Sequence, residues 1–148
     1  MSIITAWRIT SNEHVDSAFS GEGAKRYGGR FNSPGVPMVY AAESLALATL
    51  ELLTKVSSRH QLGGRVCIPV SFSRAHVLEK EQTDLPENWD KRPYGSSSQK
   101  VGDGWIESEA SLVLRVPSVV EPREYNYLIH PTHPESEKLT IGEPEPLD

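Results

Sequence analysis

One stretch of this chain has the composition of a long helix: residues 42–58, AESLALATLELLTKVSS. Alanine and leucine fill its interior, and Ser44 stands where a hydroxyl would cap the first free backbone N–H groups. Elsewhere the apolar residues come in short runs interrupted by Gly, Pro, Asn and Ser. A single strong helix among many short strand-forming runs leads to an α+β expectation. The 148 residues suffice for one hydrophobic core, and neither an internal repeat nor a linker divides them. The chain therefore reads as a single domain over 1–148, with residues 142–148, GEPEPLD, as a flexible tail without an apolar payload to anchor it.

The strand expectations follow from β-branched and aromatic content. They fall on residues 3–9 (IITAWRI), 36–41 (VPMVYA), 64–72 (GRVCIPVSF), 110–116 (ASLVLRV, stopped by Pro117), 124–129 (EYNYLI) and 139–141. Pro37 restricts the start of the second to an edge, because it has no N–H to pair. Residues 75–78 read as a continuation of the 64–72 strand. Residues 10–37 read as loop with a short helix near 16–19, and residues 79–104 as an exposed excursion leading into a short helix near 97–107.

Charge narrows the choice of partners. The net charge is −5, and the acidic excess is confined to residues 119–148, where two basic residues face seven acidic ones. No basic face suited to general nucleic-acid binding is present, so direct nucleic-acid contact is not expected. Cys67 is the only cysteine, which rules out an intrachain disulfide and a cysteine zinc cage. The start, MSIITAWRITSNEH, has no signal-peptide pattern, and no apolar run approaches the ~18 residues of a membrane span. A cytoplasmic protein without membrane contact is the expectation.

Several residues could carry chemistry. Lys25, Arg26 and Arg30 cluster in the glycine-rich segment GEGAKRYGGRF, where glycine lets backbone approach a ligand and arginine offers a planar fork for an anion. The segment lacks the GK[ST] of a phosphate loop and the strand-borne G-x-G-x-x-G of dinucleotide folds, so an ordinary surface turn is the competing reading. Tyr40 closes a strand that leads straight into the helix carrying Glu51; its ring suits stacking on a flat heteroaromatic, or simple packing in the core. Glu51 shares a helical face with Ser44, Leu47 and Ala48, which is either a plain solvent face or one wall of a site. Ser111 and Ser118 flank the LVLRV strand as turn, cap or site hydroxyls. His130 and His133 in IHPTHP lack helical context and a third ligand, so no metal is expected there.

Taken in order, the run GEGAKRYGGRFNSPGVPMVYAAESLALATLELL, then GDGWIESEASLVLRVPSVV, then EYNYLIHP resembles the RES-domain family, from Trp7 to about Pro134. The resemblance implies an ADP-ribosyltransferase-like fold, with short strands in a split sheet and flanking helices. It also implies the toxin of a bacterial type II toxin–antitoxin system that cleaves the nicotinamide–ribose bond of NAD, depletes the cell of it and arrests growth. The family's arginine falls on Arg30, its tyrosine on Tyr40, its glutamate on Glu51 and its serine on Ser118, with Ser111 the lesser candidate. The implied NAD-binding set is Lys25, Arg26, Arg30, Asn32, Tyr40, Ser118 and Asn126. In this scheme Glu51 faces a ribose that turns cationic as neutral nicotinamide leaves, which needs no metal. The acceptor stays open between water, phosphate and a protein side chain. The implied partner is a helix-turn-helix antitoxin of the Xre type, with a homodimer inside that complex allowed. Two departures are His130, where the family has an Asn-Pro pair, and Phe31, where Trp is common. Two other readings compete: an ADP-ribosyltransferase acting on a protein, and a non-catalytic module binding an anion or nucleotide.

Overall fold

The computed structural model describes residues 2–56 and 63–147. Its strands are β1 (Ile3–Ser11), β2 (Val39–Ala42), β3 (Arg65–Ser73), β4 (Val77–Glu79), β5 (Val113–Pro117), β6 (Tyr125–Ile129), β7 (Thr140–Ile141) and β8 (Glu145–Pro146). Its helices are α1 (Glu22–Tyr27), α2 (Leu45–Leu53) and α3 (Ser96–Ser108). The strands form one sheet in the order β4-β5-β6-β2-β1-β3-β7, with β8 also on β3. Among the described strands only the β4–β5 pair is parallel. The α+β expectation holds, and the split takes a definite form. β1 pairs with β3 along its whole length, β2 pairs with β6 along its own, and the two halves meet at the single register pair Trp7↔Ala42.

The core follows from the strand sequences. Apolar residues of β5 and β6 are buried on both faces of the sheet, and Arg115 and Asn126 are polar residues among them. Val113, Tyr127 and Ile129 face a cluster with Ala6, Val39, Val70 and Phe72, in which Phe72 and Tyr127 meet edge to face at 5.5 Å. Leu114, Val116 and Leu128 pack instead against Phe31, Met38, Trp89 and Trp105. That second layer comes from α3 and from the loops around residues 31 and 89.

Several expectations need correction. Residues 75–78 do not continue β3: a 3-10 turn at Arg74–His76 redirects the chain, and β4 joins the opposite edge of the sheet beside β5. Residues 10–37 hold more structure than expected, because β1 runs to Ser11, a 3-10 segment occupies Asn12–Ser17, and α1 follows. Pro37 confines nothing to an edge, since β2 begins beyond it and lies between β6 and β1. The 79–104 excursion is not simply exposed, because Leu85 and Trp89 are buried in it. Ser44 caps α2 as expected, its hydroxyl accepting from Leu47 N–H at 3.0 Å. The helix ends at Leu53 rather than 58, and residues 57 and 58 lie outside the described residues. At the C-terminus, β7 and β8 pair on either side of Pro69, which has no N–H to offer. Backbone pairing thus extends through residues expected to lack it, with Leu147 N–H donating to the Arg65 carbonyl.

Candidate active site

Three segments converge where the sheet is joined by one residue pair: the loop after α1, the seam of β1 and β2, and α2. They enclose a cavity of about 690 Å³ lined by Arg8, Arg30, Tyr40, Glu51 and Asn126, among others.

The loop is shaped from behind by α3. Ser98 Oγ donates to the Arg30 carbonyl, Gln99 Nε2 donates to the carbonyls of Gly29 and Asn32, and Asp103 accepts from both N–H and Oγ of Ser33. Gly102 lies directly against the Phe31 carbonyl, leaving no room for a Cβ. One helical face (98, 99, 102, 103) therefore templates residues 29–33. From the front, the Tyr40 hydroxyl donates to Asn32 Oδ1 at 2.6 Å and accepts from Phe31 N–H at 3.0 Å. A Cβ on Gly29 would approach that hydroxyl to 2.8 Å, so glycine is needed there for lack of space. Burial pushes the Tyr40 phenol well above its usual range. The phenol keeps its proton and aims it at Asn32 Oδ1, so the group it can present to a ligand is the ring.

Asn32 itself is fully buried, its amide donating to the carbonyls of Ala24 and Val36. It holds the loop and Tyr40 and does not line the cavity.

Glu51 is held by two donors. Ser118 Oγ donates to one carboxylate oxygen at 2.8 Å and Asn126 Nδ2 to the other at 3.1 Å. Ser118 is fully buried, and its oxygen already accepts from the N–H groups of Val120 and Glu121. Its single hydrogen is thereby aimed at Glu51. Burial raises the Glu51 pKa, while the bonds from Asn126 and Ser118 and the charge of Lys55 pull it back. The result is an oriented carboxylate with limited solvation beside an open cavity. The Ser44–Leu47–Ala48–Glu51 face is thus no plain solvent face: Leu47 is buried, and Ala48 and Glu51 line the cavity.

Among the described residues, the charged groups lining the cavity are the acid Glu51 and four cations, Arg8, Arg30, Lys55 and Arg92. Arg30 spends one nitrogen, Nη1, on the carbonyls of Trp89 and Lys91, at 2.8 Å each. Arg8 donates to the Tyr40 carbonyl at 3.2 Å, and its buried Nε finds no acceptor. No carboxylate among the described residues pairs with Arg8.

The structure brings together Arg30, Tyr40, Glu51, Ser118 and Asn126. Lys25 and Arg26 are exposed on α1 and are not part of the lining. Ser111 is elsewhere, accepting from Trp105 Nε1 and donating to the Val113 carbonyl. The Nε2 atoms of His130 and His133 reach the carbonyls of Ile106 and Glu109, and among the described residues no group of three or more His, Cys, Asp or Glu could hold a metal. Sequence reasoning missed Arg8, Lys55, Arg92 and the aromatic rim residues Tyr27 and Tyr94. A charged residue inside the strand run IITAWRI was the available signal for Arg8.

This architecture, a seamed mixed sheet with the cavity at the seam, is an ADP-ribosyltransferase-like α+β fold. It matches a chain of the crystal structure of the M. tuberculosis MbcT-MbcA toxin-antitoxin complex with TM-score 0.80 and 19% identity, covering 99% of this chain and 85% of that one. Within this class the chain belongs to the RES domain family, which matches it over residues 5–148. Among its relatives, Toxin Res of Yersinia enterocolitica is 33% identical over 141 residues, covering 95% of this chain and 92% of the relative. The Prs ADP-ribosylating toxin of a Sphingobium species is 38% identical over 138 residues, covering 90% and 86%. No described helix is long and apolar enough to cross a membrane.

Proposed function

We propose that this chain is the toxin of a type II toxin–antitoxin pair and that it cleaves the nicotinamide–ribose bond of NAD. The observation that carries the reading is Glu51: a carboxylate aimed by Ser118 and Asn126 into a cavity whose other charged lining residues, among those described, are cations. The cations suit the pyrophosphate, and the carboxylate suits the one part of the ligand that turns positive.

When the C1′–N bond breaks, its electron pair goes to the nicotinamide ring nitrogen and the ribose becomes oxocarbenium-like. A carboxylate fixed against that sugar stabilises the developing charge without reorganising. Ser118 and Asn126 act as positioning residues for Glu51. The Tyr40 ring offers a stacking face, because its hydroxyl is committed to Asn32 and Phe31. Arg8, lacking an acidic partner, holds a phosphate, and Arg30 adds its remaining nitrogens. The acceptor then attacks C1′ to give ADP-ribose or its conjugate.

The Sphingobium relative, an ADP-ribosylating toxin, supports a second reading, transfer of ADP-ribose to a protein. Treating a lysate with adenine-labelled NAD separates the two. The first reading predicts nicotinamide release with label in small molecules; label held covalently on a protein selects the second. Intact NAD contradicts both. The M. tuberculosis neighbour was crystallised in a toxin-antitoxin complex, which supports an antitoxin partner for this chain. We propose the Xre type for that partner, with a toxin homodimer inside the complex and a cytoplasmic setting.

A further inference from the structure

The cavity has a graded interior. Its deep end is built from small apolar residues and buried polar groups: Ala41, Ala42 and Pro117 are buried, and Tyr40 and Glu51 are largely enclosed. Its rim is different. Tyr27 is 74% exposed and Tyr94 is 41% exposed, yet both line the cavity, as does the exposed Arg92. An aromatic ring left in water at a cavity mouth forgoes the burial that stabilises it elsewhere in the fold.

The rim segment carrying Arg92 and Tyr94 is also fastened in place. Trp89 is buried in the second core layer and its N–H donates to the Pro86 carbonyl. Arg30 Nη1 grips the carbonyls of Trp89 and Lys91 from inside the cavity, and its guanidinium lies 5.8 Å from the centre of the Tyr94 ring. Arg92 reaches across to the Val119 carbonyl at 3.3 Å, and Ser97 Oγ donates to Asn88 Oδ1 behind the turn. A wall ordered before the ligand arrives binds without the cost of ordering it. Arg30 and Arg92 are close enough for each to feel the other's charge, as a ligand carrying two phosphates would require.

We infer that Arg92 and Tyr94 form a subsite for the adenylate half of a dinucleotide, with Arg92 on the outer phosphate and the Tyr94 ring under the base. The inference rests on the NAD reading above and adds what that reading leaves open: why this cavity takes a dinucleotide and not a nicotinamide mononucleotide. The scissile bond is the same in both ligands. Glu51 and Tyr40 serve that bond, and the rim serves only the half that the mononucleotide lacks. Arg30 has a double role here, since its carbonyl contacts hold the rim segment and its free nitrogens face the cavity.

The test measures nicotinamide release from NAD and from nicotinamide mononucleotide, using wild type, Tyr94→Ala and Arg92→Ala. Wild type is expected to favour NAD in kcat/KM. Stacking and charge-assisted contacts of this kind are worth roughly tenfold each, so each variant should raise KM for NAD about tenfold. The kcat for NAD and the kcat/KM for the mononucleotide should stay within about twofold of wild type. Tyr94→Phe keeps the ring and should retain wild-type values, which separates a stacking role from a misfolded loop. Equal losses on the two substrates, or no change on either, would overturn the subsite and leave NAD cleavage standing. A wild-type protein inert toward both ligands would overturn the NAD reading and the subsite with it.

Discussion

Two arginines from different parts of one sheet are used in opposite ways. Arg115 on β5 is surrounded by partners: it pairs with Glu79 and Glu81 and lies 3.7 Å from the centre of the Tyr125 ring. Tyr125 in turn donates to Glu81, so the group closes on itself across β4, β5 and β6. Arg8 on β1 has one backbone carbonyl and, among the described residues, no acid, and burial lowers its pKa by desolvation. A folding chain neutralises a cation with its own acids where the charge serves structure. The charge left uncompensated beside a cavity is the one available to an anion from outside.

That contrast is broken or sharpened most strongly by exchanging each arginine for methionine, which keeps the bulk and removes the charge. Arg8→Met is expected to lower kcat/KM for NAD by roughly a hundredfold, the scale of a lost buried charge-assisted phosphate contact. Its thermal midpoint should be unchanged or higher, because an unpaired buried charge is removed. Arg115→Met is expected to do the reverse, costing about 1–3 kcal/mol of stability in denaturant titrations and leaving kcat/KM within about twofold. Losses of stability and activity falling together in both variants would erase the distinction.

Tyr40→Phe probes the same division inside one residue. It strips the hydroxyl between Asn32 and Phe31 and should cost about 1–3 kcal/mol of stability, read by chemical denaturation, since a buried N–H and a buried carbonyl lose their partner. The ring remains, so ligand stacking should persist, with activity falling about tenfold or less through a looser Arg30 loop.

The smallest effect concerns pH. Glu51 must be ionised to stabilise a cation, so activity is lost as pH falls through its folded pKa, which burial raises from its ordinary value. Ser118→Ala removes one bond that favours the ionised form. The acid limb of the kcat/KM profile should move to higher pH by about half a unit to one unit, corresponding to a hydrogen bond of about 1 kcal/mol. An unmoved limb would mean that Ser118 only shapes the turn.

The helix carrying Glu51, its Ser44 cap and most of the strands were legible because each depends on residues near in sequence. The family resemblance in GGRFN, VYAA and TLELL supplied the order of Arg30, Tyr40 and Glu51. The site's other half was not legible. Arg8 sits in a strand whose sequence does not reveal which groups face it across the seam. Arg92 and Tyr94 lie in a polar run that reads as plain loop, and only the long-range grip of Arg30 on the carbonyls of Trp89 and Lys91 makes it a wall. Helix α1 was hidden because glycines bracket it, with Gly21 at φ 78° before it and Gly28 at φ 78° after it. Asn32, grouped with the NAD-binding residues by its place in the motif, sits behind the pocket holding Tyr40.

The central claim is that Glu51 works as a charge. Glu51→Gln keeps the shape and can still meet Ser118, and it removes a carboxylate whose raised pKa makes its ionised form costly to the fold. That cost grows as pH rises through the folded pKa, so at neutral pH the variant should melt no lower than wild type. Nicotinamide release from NAD, measured on wild type and this variant side by side, is the direct test. The prediction is turnover by wild type and a loss of at least about a hundredfold in a folded variant. Equal turnover by the two proteins, or intact NAD with wild type, would contradict it.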